Sequence, residues 1–141
     1  VQQPALRFGD HIRLQEIALG QTTLTPGAVL PVRLQWTTDA PLTADLRVFV
    51  QLLDADTGQL ISARDAAPVG WSRPTTSWQV GDPITDRHAL LIPPDLPPVN
   101  LTLIVGLYNP AQAATRLPVY GQPENYLSIT PITITEGNQT R

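Results

Sequence analysis

The sequence predicts an all-β fold: an antiparallel, two-sheet β-sandwich of the immunoglobulin-like kind, with seven to eight strands and no disulfide. Three observations carry that prediction. The chain holds 15 Pro in 141 residues, and most of them fall between apolar runs. Proline lacks the N–H that a helix interior or a central strand needs. The runs between prolines alternate with a period of two, and turn signals recur roughly every 8–15 residues, as in a sandwich or barrel.

Taken in order, the first run is Phe8 to Leu19. Ile12 and Leu14 share one face, whereas Ile17 and Leu19 have the opposite phase. The slip at Gln15-Glu16 predicts a bulge or a passage from one sheet to the other. Thr25-Pro26-Gly27 turns the chain. Leu30, Val32, Leu34 and Trp36 then alternate with Pro31, Arg33, Gln35 and Thr37, a half-buried strand that ends at Asp39-Ala40-Pro41. Trp36 is placed to fill the space between sheets.

Leu46 to Leu53 is apolar on both faces, as a central strand requires. Asp54 to Gly58 makes a turn, and Gln59 to Arg64 returns as a hairpin partner. Asp65 to Pro83 is long and irregular, with three Pro, two Trp and two Gly. Asp86 to Ile92 is a strand, Pro93 to Pro98 a rigid corner, and Leu101 to Tyr108 another strand. Thr115 to Tyr120 pairs back, and Leu127 to Thr135 closes the set with a phase slip at Pro131. Residues 1–7 therefore read as an N-terminal linker, 8–136 as the sandwich and 137–141 as a C-terminal tail.

Composition excludes several function classes. Without Cys there is no disulfide, zinc–cysteine cluster or cysteine nucleophile, and without Lys there is no Schiff-base or P-loop lysine. A net charge of −3, with nine Arg against nine Asp and three Glu, does not suit nucleic-acid binding, which needs a basic face. No apolar run reaches the roughly 20 residues of a membrane span. Val1 in place of Met is expected of an excerpt or a processed product.

Five ordered stretches carry a family likeness. They are Pro26-Gly27 with Leu34-Gln35-Trp36; Val48 to Asp54 with Gly58; Asp65, Pro68, Gly70, Pro74-Thr75, Trp78, Gly81 and Asp86; Leu91 to Pro98; and Val105 to Pro110 with Arg116-Leu117-Pro118. Together they resemble a β-sandwich domain attached to bacterial multi-pass membrane proteins similar to protein mannosyltransferases. The resemblance implies an extracytoplasmic location, at the cell surface or in a periplasm-like space, tethered through a parent membrane protein. It implies a non-catalytic accessory module that positions a glycan or protein substrate. The corner before Leu101 departs from the family pattern: it reads Pro98-Val99-Asn100, without the usual glycine and aromatic.

The residues leave further readings open. Trp71 and Trp78 lie in the irregular segment beside Arg73, Thr75, Thr76 and Ser77. Exposed indoles there would stack on sugar rings, in a carbohydrate-binding module. Buried indoles would instead pin the loop, each contributing on the order of 4–6 kcal/mol before entropy costs. The anchor role is the expectation for both. Tyr108, Tyr120, Tyr126 and Arg116 form a second candidate patch. An adhesion or protein-interaction module acting through a sheet edge is a third class.

An enzyme would need a cleft holding Asp65, Asp86 and His88 together. The expected role of Asp65 and Asp86 is local capping where strands end, and a solvated or hydrogen-bonded ring on a partly exposed strand is expected at His88. Asp54-Ala55-Asp56-Thr57-Gly58 resembles the opening of a calcium loop, with Asp65 at its twelfth position, but reads first as an Asx turn. Two His and no Cys give no metal cluster, and no cofactor is implied. Asn100-Leu101-Thr102 and Asn138-Gln139-Thr140 match glycosylation acceptors, which carry no meaning in a bacterial protein. The ligand-binding candidates are thus Trp71, Arg73, Thr75, Trp78, Asp65 and Asp86.

Overall fold

The computed structural model describes residues 6–136. The 137–141 tail and the Asn138 acceptor site lie outside the described residues. Among the described residues ten strands follow in order: β1 (Leu6–Phe8), β2 (Ile12–Leu19), β3 (Thr23–Leu24), β4 (Val29–Thr38), β5 (Arg47–Asp54), β6 (Leu60–Ala66), β7 (Ile84–Leu91), β8 (Val99–Asn109), β9 (Thr115–Arg116) and β10 (Leu127–Ile134). The seven long strands are those the alternation predicts. β9 opens the Thr115 to Tyr120 segment expected to pair back, and it pairs with β8; β1 and β3 are the additions, of three and two residues, too short to show a period. β1 begins at Leu6, inside the segment assigned as a linker.

The strands form two sheets. The smaller has the order β1-β2-β4-β7; the larger has the order β3-β10-β8-β5-β6, with β9 beside β8. All pairings are antiparallel except β3 with β10, which run parallel through Thr133↔Thr23 and Ile134↔Leu24. Both readings of the Gln15-Glu16 slip have a counterpart. The β2–β4 register shifts between Leu14 and Glu16, and the chain then crosses to the other sheet after Leu19 to form β3. The slip at Pro131 coincides with a register shift between Ile129 and Ile132, around a cis Thr130–Pro131 bond.

The inner faces meet over Phe8, Ile17, Leu34, Val48, Val50, Leu103, Val105 and their neighbours. Trp36 lies at the centre, fully buried, with Phe8 edge-on at 5.2 Å and Trp78 at 6.5 Å between ring centroids. Three large rings do the filling that a disulfide assists in many such sandwiches.

The turn at Asp54 has the Asx form: Asp54 Oδ1 accepts the N–H groups of Asp56 (2.8 Å) and Thr57 (3.1 Å). Gly58 closes it at φ +75°. Asp65 lies at the far end of β6, opposite Phe49, so the twelfth position of the calcium pattern points away from this turn.

Candidate functional site

The long segment between β6 and β7 is held by three anchors. Thr75 is fully buried; its hydroxyl donates to the Ala44 carbonyl (2.7 Å) and accepts the Leu46 N–H (2.9 Å). Trp78 is 4% exposed and its indole N–H donates to the Arg73 carbonyl at 3.0 Å. Asp86, with its side chain fully buried on β7, accepts the Val69 N–H at 2.7 Å through Oδ1. Thr75, Trp78 and Asp86 therefore present nothing to a ligand, which corrects their place among the binding candidates. The half-buried Arg73 lends its carbonyl to Trp78.

Trp71 behaves in the opposite way, and its expected anchor role is overturned. Its side chain stands out, 54% exposed. The anchored loop forces Val69 to φ +55° and Trp71 to φ +76°. Such conformations cost bulky residues about 1–3 kcal/mol each and persist only where surrounding contacts impose them. Here the Trp71 N–H bonds the Ala67 carbonyl, and the Ser72 N–H and hydroxyl both bond Val69 O. The indole is thereby turned onto the outer face of the larger sheet, where the Arg47 guanidinium lies 4.4 Å from its ring centroid.

That outer face continues from Arg47 as a connected patch. Arg47 on β5 is in register with Tyr108 on β8. Asp65 and Arg47 both act on the Tyr108 phenol, with opposite sign. Burial and the adjacent Asp65 carboxylate push the Tyr108 phenol above its ordinary value, against the pull of Arg47. Next along β5, Phe49 lies 6.3 Å from Tyr108 and opposite Gly106. Its ring occupies the space a Cβ at Gly106 would need. Arg116 from β9 covers the same ring at 4.2 Å, leaving Phe49 only 1% exposed. Phe49, Gln51, Asp65, Tyr108, Ala114 and Arg116 line a shallow pocket of about 260 Å³.

Two of the six candidates, Trp71 and Asp65, thus belong to one surface, joined by Arg47, Phe49, Tyr108 and Arg116. The proposed tyrosine patch divides: Tyr108 and Arg116 share this surface, whereas Tyr120 stacks under Arg7 at 4.2 Å, and Tyr126 lines a separate pocket with Pro118 and Gln122.

The carboxylates of an enzymatic reading do not converge. Asp65 faces outward and Asp86 inward. Asp86 Oδ2 instead meets His88 Nε2 at 2.6 Å, with both side chains fully buried. His88 Nδ1 lies 2.8 Å from Nη1 of Arg64. Arg64 can only donate, so Nδ1 accepts and the His88 proton sits on Nε2, directed at Asp86. The chain Arg64–His88–Asp86–Val69 is a buried support for the Trp71 loop. Of the two states expected for the His88 ring, the hydrogen-bonded one is found; the partial exposure expected with it is corrected to burial.

No family model matches the sequence, and no curated protein does. Among solved structures, the chain is similar to a Niemann-Pick type C2 protein from Japanese carpenter ant, at 9% identity and a TM-score of 0.53, covering 94% of both chains. That likeness supports the sandwich fold and no more. The β-glucuronidase 2 of Bacteroides uniformis, as a calcium-binding mutant, matches at 19% identity and a TM-score of 0.47, over 77% of this chain and 12% of the enzyme.

Proposed function

We propose that the chain is a non-catalytic, extracytoplasmic saccharide-binding module, carried as an accessory domain by a membrane-bound glycosyltransferase-like protein. The observation that supports it best is Trp71: a large apolar ring held in a strained conformation, facing solvent, beside polar groups suited to hydroxyls. The flat indole offers a platform for the C–H face of a pyranose. Arg47, Tyr108 and Asp65 supply donors and acceptors around it. The buried acid and imidazole that could serve catalysis, Asp86 and His88, are occupied in holding the loop.

A glycan array probed with the wild-type chain and with Trp71→Ala tests the reading. Binding by the wild type, reduced to background in Trp71→Ala, is the expected result. A wild-type chain that binds no glycan above background overturns it. The tethered, extracytoplasmic part of the proposal is checked in the parent reading frame, where several hydrophobic spans upstream of Val1 are expected. A secreted hydrolase encoded there would replace the membrane-appendage assignment with that of a stand-alone carbohydrate-binding module.

A further inference from the structure

The pocket beside Trp71 has a definite charge pattern. Asp65 and Arg47 lie close enough to the Tyr108 phenol to act on it with opposite sign, so Arg47 has a carboxylate across that ring. Arg116 is different. The ion pairs among the described residues join His11 to Asp39, Arg33 to Glu16 and His88 to Asp86, and none includes Arg116. Its guanidinium carbon lies 4.2 Å over the centroid of the Phe49 ring, at the rim of the pocket. A guanidinium is a planar fork that can make two parallel hydrogen bonds to a carboxylate. The Asp65 carboxylate and the Gln51 amide also line the pocket.

We infer, resting on the saccharide-binding reading above, that this pocket takes the carboxylate of a uronic acid residue, with Arg116 as its partner. The volume of about 260 Å³ is below the roughly 300–1,000 Å³ of pockets for drug-sized ligands and suits one sugar ring. Phe49, Tyr108 and Ala114 form its apolar lining, and Asp65 and Gln51 take ring hydroxyls. The single negative charge matters. A carboxylate satisfies Arg116, whereas the second charge of a phosphate monoester would face Asp65 without a partner. The pocket is therefore selective for a monoanionic sugar, and the rest of the chain of sugars extends toward Trp71.

Calorimetric titration separates this inference from the reading beneath it. The probes are trimers of galacturonate and of glucuronate, each as the free acid and as the full methyl ester, which keeps the rings and removes the charge. One free acid is expected to bind about tenfold or more tighter than its ester, an advantage that weakens with added salt. In Arg116→Gln the acid and ester are expected to bind alike, at the ester's wild-type affinity. Arg116→Lys, which keeps the charge and loses the fork, is expected to fall between. Unchanged thermal unfolding of these variants confirms that they are folded. Equal wild-type affinity for acid and ester, or an Arg116→Gln variant that keeps the full preference, overturns the acidic-sugar assignment and leaves the saccharide site standing. A hexose phosphate that displaces the acid trimer more strongly than a free uronate does would overturn the monoanion selectivity. If no trimer binds and the glycan array is also empty, the saccharide reading falls together with this inference.

Discussion

Replacing Asp86 by Asn changes one atom pair in the buried support of the Trp71 loop, and its consequence can be worked out by counting protons. In the native chain Asp86 accepts twice, from Val69 N–H and from His88 Nε2–H, while His88 Nδ1 accepts from Arg64. The substituted amide can accept from Val69 only by turning its NH₂ toward His88. Nε2 must then accept, which moves the ring proton to Nδ1, where it meets the Arg64 donor. Turning the amide over places the NH₂ against the Val69 N–H instead. Every arrangement leaves donor against donor until Arg64 withdraws, giving up its bonds to His88 and to the Arg87 carbonyl. Hydrogen bonds to charged groups contribute about 1.5–3 kcal/mol, so Asp86→Asn should cost about 2–3 kcal/mol. In an Arg64→Met background the Nδ1 proton meets no donor, and the Asp86→Asn penalty should fall by about half. Urea unfolding of the four proteins, followed by tryptophan fluorescence, measures the cycle through its midpoints at constant slope. An equal Asp86→Asn penalty with and without Arg64 would refute the proton count.

Three further outcomes are expected. Gly106→Ala places a methyl group where the Phe49 ring lies and 3.2 Å from the Asn125 carbonyl oxygen; overpacking should cost about 1–3 kcal/mol in urea unfolding, and the ring's displacement from beneath Arg116 should abolish saccharide binding. Trp78→Ala removes a buried ring and the Arg73 bond, and should cost about 3–5 kcal/mol, with limited proteolysis moving to the segment 67–83. Tyr108 has a folded-state value raised above the ordinary one, so its contribution to stability is complete below about pH 10 and is lost as pH rises through the folded value. Across that alkaline range, urea midpoints should fall more steeply for the wild type than for Tyr108→Phe; parallel slopes would contradict the sign.

The fold was legible because its signals are local. Leu30 to Thr37 and Leu101 to Tyr108 alternate cleanly, the proline corners mark where strands end, and Trp36 sits where an inter-sheet ring is needed. The site was only half legible, because it is made by register. Arg47, Phe49 and Gln51 are simply the second face of a central strand until pairing sets Phe49 against Gly106 and Arg47 against Tyr108. A glycine within the Leu101 to Tyr108 run was the available signal, since glycine in a strand often marks a close approach. Trp71 and Trp78 look equivalent in sequence. What separates them is distant: Thr75 binds the backbone at Ala44 and Leu46, and Asp86 captures Val69, so that one indole is drawn into the core and the other is pushed out. The fate of His88 likewise depended on Arg64, a side chain from the opposite sheet.

The proposed saccharide site can be tested most directly by the indole N–H signals of the three tryptophans in a nitrogen-15 correlation spectrum. Trp36 and Trp78 are buried and Trp71 is exposed, so titration with a uronate trimer should move the Trp71 signal alone among the three. The backbone signals of Arg47, Tyr108 and Arg116 should move with it. Shifts confined to the outer face of the smaller sheet, or a spectrum that does not change with any saccharide, would contradict the assignment of this surface.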